Sequence, residues 1–200
     1  MRYSENQTKP PLSNFVECFW TLEDDQGVTA PQPERILPDG CVEMVLNFGA
    51  PFSERTENGL QVRQPTNFLV GQMTRPMFIV PTGPVQILGI RFHPGGAHPF
   101  FRIPMQELTD RVVELAAVTA SLERVLVSRC DDASSLSERT SIVEALLVER
   151  VLDYKHDSWL VGLAGEIVPV LQGSATPYRQ AHGGKLRRAC AGPCSNCRGA

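Results

Sequence analysis

Residues 35 to 49, RILPDGCVEMVLNFG, join a turn to a run that alternates with the two-residue period of a pleated strand. Val42, Met44, Leu46 and Phe48 fall on one face, which is wholly apolar and therefore faces a core. Cys41, Glu43, Val45 and Asn47 fall on the other, a mixed face that suits either the wall of a pocket or a partly wet surface. Upstream, Pro38 presets φ for a tight turn, Asp39 can bond its own backbone, and Gly40 permits the positive φ that ends it. The spacing predicts a sharp entry into a central strand.

The same period recurs through the first half. Phe15 to Leu22 reads as a buried strand with Phe15 and Phe19 on one side and Val16, Cys18 and Trp20 on the other. Trp20 serves either core packing or the floor of a ligand pocket, since its indole offers a flat surface and one donor. Residues 24–34 read as a loop, and residues 50–66 as a polar excursion with a hairpin around Asn58 and Gly59. Strands are predicted over Asn67 to Gln72, Met77 to Val80 and Val85 to Phe92. In the last of these, Arg91 shares its face with Val85, Ile87 and Gly89. A guanidinium so placed either pairs with a carboxylate, for which Glu43 is a candidate, or reaches an acidic ligand. His93 to Phe101, HPGGAHPFF, is a Gly-rich turn that either links the strands to helices or forms a small anion-favouring concavity.

From Pro104 the period lengthens towards 3.6. Thr109 or Asp110 can cap a helix with Val112, Val113, Leu115 and Ala116 inward, and Ser121 another with Leu122, Val125 and Leu126. The clearest helix runs from Ser137 to Tyr154, with Ile142, Leu146, Val148, Glu149 and Leu152 along its stripe. A further helix is predicted over Asp157 to Gln172, succeeded by a tail with no apolar period. Residues 1–11 read as a loosely held polar arm.

Short strands with Gly and Pro punctuation, then helices, indicate an α+β chain: a small β-barrel or sandwich, a few α-helices and a disordered tail. The division expected is a β-rich domain at 1–103, a helical region at 104–155, a further helix at 156–173 and the tail at 174–200.

Charge changes this picture only at the end. Residues 1–166 carry 14 basic and 22 acidic side chains, net −8, whereas 167–200 carry five basic and none acidic. An acidic body is a poor surface for duplex nucleic acid, whose affinity comes from Lys and Arg. There is no run of about 18 apolar residues and no apolar leader, so no membrane partner is expected and the cytoplasm is the default location. Cys18, Cys41 and Cys130 read as reduced packing residues; Cys190, Cys194 and Cys197 make a C-x3-C-x2-C cluster that only His182 could complete as a zinc site. Neither that cluster nor His93 and His98 amounts to an expected metal site, and no cofactor signature is present.

LPDGCVEMVLNFG, FLVGQMTRP, PTGPVQILGIRFHPGGAHPFF and ELTDRVVEL, in that order, resemble the N-terminal domain of many AraC-like bacterial transcription regulators, over about residues 12–155. The resemblance implies a cupin-like barrel that senses an effector or dimerises, joined to a C-terminal DNA-binding domain with two helix-turn-helix units. It implies a sensor domain at 1–103, a dimerisation or linker region at 104–155 and a remnant of the DNA-binding domain at 156–173. Residues 157–172 resemble the first helix of that domain, whereas residues 173–200 depart from the family pattern. A truncation or frameshift is the expected cause.

These observations lead to a non-enzymatic regulatory domain that binds a small-molecule effector, forms a homodimer and leaves DNA reading to full-length relatives. The alternative is a stand-alone cupin-like binding protein or enzyme, although no G-x-S-x-G, Walker loop or H-E-x-x-H is present. A pocket in the barrel would have Trp20, Glu43, Gln72 and Arg91 at its wall.

Overall fold

The apolar face of residues 42–48 finds its partners on two strands that flank it. In the computed structural model, which describes residues 1–25, 32–56 and 59–157, β4 (Val42–Asn47) lies between β9 (Val85–Phe92) and β7 (Asn67–Val70), antiparallel to both. β2 (Val16–Asp24) pairs with the other side of β9. β1 (Arg2–Gln7) and β10 (Val112–Glu114) close the two edges, completing a six-stranded sheet in the order β1-β2-β9-β4-β7-β10. Four shorter strands, β3 (Glu34–Ile36), β5 (Phe52–Arg55), β6 (Gln61–Arg63) and β8 (Met77–Pro81), form a second antiparallel sheet in the order β3-β8-β5-β6.

Each face of the large sheet is covered by a different layer. Phe19, Met44, Leu46, Leu69, Leu88, Ile90 and Phe92 pack against α1 (His98–Phe101), α2 (Leu115–Asp131) and α3 (Leu136–Asp157) in one continuous core. On the reverse face, Leu22, Val45, Phe68, Val85 and Ile87 meet Phe52 and Ile79 of the small sheet. The molecule is thus α+β, with a two-sheet sandwich backed by helices. Neither sheet closes on itself among the described residues, so the barrel form of the expectation is replaced by an open sandwich. β3 and β6, the edges of the small sheet, pair only within it, so the sheets stack through side chains instead of joining in one ladder among the described residues.

Several local expectations are corrected. The polar arm is a strand: Arg2 to Gln7 pair in register with Glu23 to Cys18, and Ser4 and Thr21 share a hydrogen bond of 2.7 Å. An edge strand needs hydrogen bonds more than an apolar face, so its polar composition concealed it. The loop expected over 24–34 is shorter at both ends, since Asp24 is the last residue of β2 and Glu34 the first of β3. Val16 joins Phe15 and Phe19 in the helix-facing core rather than lying on the side of Trp20, because a bulge between Val16 and Cys18 inserts an extra residue and reverses the alternation. Val112 and Val113, expected in a helix, extend β10 alongside β7, as suits β-branched side chains. Asp110 caps nothing; at φ 55° its carboxylate accepts hydrogen bonds from Thr74 N–H (2.7 Å) and Oγ1 (2.6 Å). α2 is irregular at Thr119, two residues before the expected cap at Ser121.

In α3 the phase of the stripe differs by one position. Leu136, Thr140, Val143, Leu147 and Val151 face inward with Leu146, while Leu152 is 51% exposed and Glu149 faces solvent. A helix with apolar residues at 142, 143, 146, 147, 148, 151 and 152 offers two adjacent stripes, and only contact with the sheet selects one. Arg139 adds to the seat, its guanidinium 4.1 Å above the ring of Phe48. On α2, Leu122 and Leu126 are buried as expected, but Val125 is 38% exposed. The predicted helix over 157–172 and the tail, including the C-x3-C-x2-C cluster, lie outside the described residues apart from Asp157.

Candidate functional site

The mixed face of β4 holds a compact group of charges. Glu43 and Arg91 are direct cross-strand neighbours in the β4–β9 ladder, and Arg91 also sits opposite Cys18 on β2. Arg91 donates from Nε to Glu43 Oε1 at 2.8 Å. The same carboxylate oxygen accepts from Trp20 Nε1 at 3.2 Å. Asp39 Oδ2 lies 3.7 Å from Arg91 Nε, so the guanidinium stands between two carboxylates. Arg91's side chain is only 5% exposed and that of Glu43 15%, an unusual depth for charged groups in the middle of a sheet.

Two glycines make this arrangement possible. Gly89 is opposite both Trp20 and Val45, and a Cβ there would lie 1.9 Å from Trp20 Cε2, so the indole crosses β9 where no side chain stands. Gly40, at φ 74°, ends the Pro38–Asp39 turn and sets Asp39 over the strand end. Asp39 Oδ1 accepts the Cys41 N–H at 3.0 Å, leaving Oδ2 for the guanidinium. Gln72 donates to the Gly40 carbonyl at 2.9 Å and so ties the same turn to the segment that follows β7.

Trp20, Glu43 and Arg91 therefore meet directly, while Gln72 holds the turn that brings in Asp39. Asp39, Tyr3 and Glu5 were not among the sequence-derived wall residues. Tyr3 lies beside Trp20 with ring centroids 6.3 Å apart, and its hydroxyl donates to Glu5 at 2.8 Å. Asp39 had a signal in its turn motif; Tyr3 and Glu5 had none, because their strand was not legible.

The electrostatics follow from burial. Removal from water pushes the Glu43 carboxyl up to about 7; Asp39 adds to that rise, while Arg91 and the Trp20 indole oppose it. Burial likewise pushes the Cys18 and Cys41 thiols up, so neither is poised as a thiolate nucleophile. With both carboxylates ionised, one guanidinium faces two negative charges. An acidic ligand would meet a guanidinium already flanked by two carboxylates, whereas a ligand offering a cation or hydrogen-bond donors would add to the existing set. Cys18, Cys41 and Cys130 are free, and no group of three or more metal-ligating side chains occurs among the described residues.

The fold and site define an α+β protein with two stacked sheets, the larger of which carries a charged group with aromatic neighbours on one face. Residues 4–114 match the family model described as "Domain of unknown function (DUF6597)", and the chain belongs to that family. The matched stretch ends at the last residue of β10, so it comprises the two sheets and stops where α2 begins. No curated protein and no solved structure matches the chain. No helix among the described residues is long and apolar enough to cross a membrane.

Proposed function

We propose that this chain is the regulatory part of an AraC-like transcription regulator: a non-enzymatic cytoplasmic module that binds a small-molecule effector and associates with a second copy. The observation that carries the reading is the Glu43–Arg91–Trp20 group. Packed hydrocarbon of the same volume is often no less stable than a buried ion pair, so a sheet built only for stability gains little from keeping one. Its position on the face of the large sheet that carries the inter-sheet cluster, with an indole and a phenol beside two carboxylates, suits recognition of a small polar molecule bearing donors or positive charge. The ordered likeness of the LPDGCVEMVLNFG, FLVGQMTRP and GIRFHPGG stretches to AraC-like sensors is the second support.

Self-association is assigned to the helical layer. Val125 on α2 and Leu152 on α3 are exposed apolar side chains on the helices that come after the sandwich, and Arg129 and Glu149 bridge those helices at 3.6 Å. Reading of duplex bases needs a helix that enters the major groove, and that task is assigned to the DNA-binding domain of full-length relatives.

Gel-shift titration of the 200-residue chain with the upstream region of its own operon tests the assignment, alongside sedimentation equilibrium. The expected result is a dimer with no sequence-specific shift at moderate salt. A specific shift would overturn the division of labour, and a monomer at all accessible concentrations would remove the association role.

A further inference from the structure

The small sheet turns one face to the large sheet and the other to solvent, and the two differ in charge. Phe52, Met77, Ile79 and Pro81 point inward, so alternation sends Phe78, Val80, Ser53 and Arg55 outward. Register extends this face to the edges: Arg35 of β3 and Arg55 of β5 both lie directly opposite Phe78 of β8, and Gln61 of β6 lies opposite Arg55. In the next row Val80, Ser53 and Arg63 are neighbours. Phe78 is 40% exposed, and Arg35, Arg55 and Arg63 are all exposed. Directly opposite residues have Cβ atoms about 5 Å apart, so the ring has a guanidinium-bearing neighbour on each side. No acidic residue of these four strands shares the face: Glu34 and Glu54 lie opposite Ile79 and point inward with it. Among the described residues no ion pair engages Arg35, Arg55 or Arg63.

We propose that this outer face, with Phe78 flanked by Arg35 and Arg55 and extended by Arg63, binds single-stranded nucleic acid without sequence preference. One base stacks on the exposed ring, and the neighbouring phosphates meet the guanidiniums. Charge complementarity supports a polyanion, because three cations gather on one face of a body that is net acidic. The choice of polyanion rests on geometry. An extended acidic peptide draws its affinity from main-chain hydrogen bonds at a sheet edge. A sheet face presents only side chains, here an aromatic surface and planar guanidiniums, which suit bases and phosphates. This inference stands apart from the AraC-like reading, which concerns the charged group on the large sheet, the helical layer and duplex recognition.

Fluorescence anisotropy of a fluorescein-labelled oligothymidylate, titrated with the full chain at low salt, tests it. Binding is expected with a salt slope of about −2, as for three single-strand phosphates. Phe78→Ala should weaken it about tenfold, the usual effect of losing one stacked base. The Arg35→Gln/Arg55→Gln/Arg63→Gln variant should abolish it; because all four side chains are exposed, both variants should keep the wild-type melting curve. A third variant, Arg187→Gln/Arg188→Gln, should bind as wild type does, which separates the sheet from the basic tail. Absence of binding, binding unchanged by Phe78→Ala, binding that tracks the tail arginines, or equal competition by a poly-glutamate peptide would each overturn the proposal. The last result would assign the face to an acidic protein instead.

Discussion

The two faces of the large sheet are made by the same strands yet obey different rules. On the helix side, Met44, Leu88, Ile90 and Phe92 are fully buried hydrocarbon, and their neighbours on α2 and α3 are hydrocarbon too. One residue along each strand, on the reverse side, Glu43 and Arg91 are nearly as deep and are paired there with each other, Trp20 and Asp39. The first face tolerates exchange of one apolar residue for another of similar volume; the second tolerates change only when partners change together.

The largest expected effect tests that contrast directly. Arg91→Met leaves Glu43 buried without its counter-charge and should cost about 3–5 kcal/mol in urea unfolding. The double variant Arg91→Met/Glu43→Leu should recover most of the loss, because no charge remains stranded. If the double variant is as unstable as the single, the group is held by something other than pairing. On the helix side, Leu88→Ala should cost about 2–5 kcal/mol through lost contacts and a cavity, with no rescue from a change at Glu43. Coupling between these two sites would show that the faces are not independent.

A smaller effect separates the faces by pH. Glu43 titrates near 7 in the folded chain and at the ordinary 4.5 when unfolded, so the folded state binds the extra proton between those values. Its contribution to stability is full below pH 4.5 and is lost as pH rises through about 7. Urea midpoints should therefore fall across that window, and Glu43→Gln should flatten the fall; Leu88→Ala should leave its shape unchanged. The smallest effect lies at the surface, away from both faces. Hydrogen bonds from Thr74 hold the Asp110 carboxyl below its usual value, a contribution present above pH 3.8 and lost as pH falls through the folded value. Asp110→Ala should cause a minor loss of stability that disappears in acid, which a thermal melt series can read.

Much of this architecture is written in local chemistry. The alternation of residues 42–48 and 85–92, the Pro-Asp-Gly turn, the hairpin strands on either side of Gly59 and the change of period after Pro104 each express a preference that the chain carries in a few consecutive residues. The pairing of Glu43 with Arg91 was also open to anticipation, since each is the single charge on its strand face. Other features depend on distant partners. The edge strand Arg2–Gln7 has no apolar face to announce it, and the bulge at Glu17 that moves Val16 across the sheet is visible only against β9. The choice between two apolar stripes in α3 is made by the surface it meets. Arg35, Arg55, Arg63 and Phe78 lie up to 43 positions apart along the chain and became a single basic face only through strand register. Local sequence thus determined which segments extend and which coil, because backbone sterics and side-chain period act over a few residues. Tertiary structure alone decided which charges meet, because burial and cross-strand neighbours are properties of the assembled sheets.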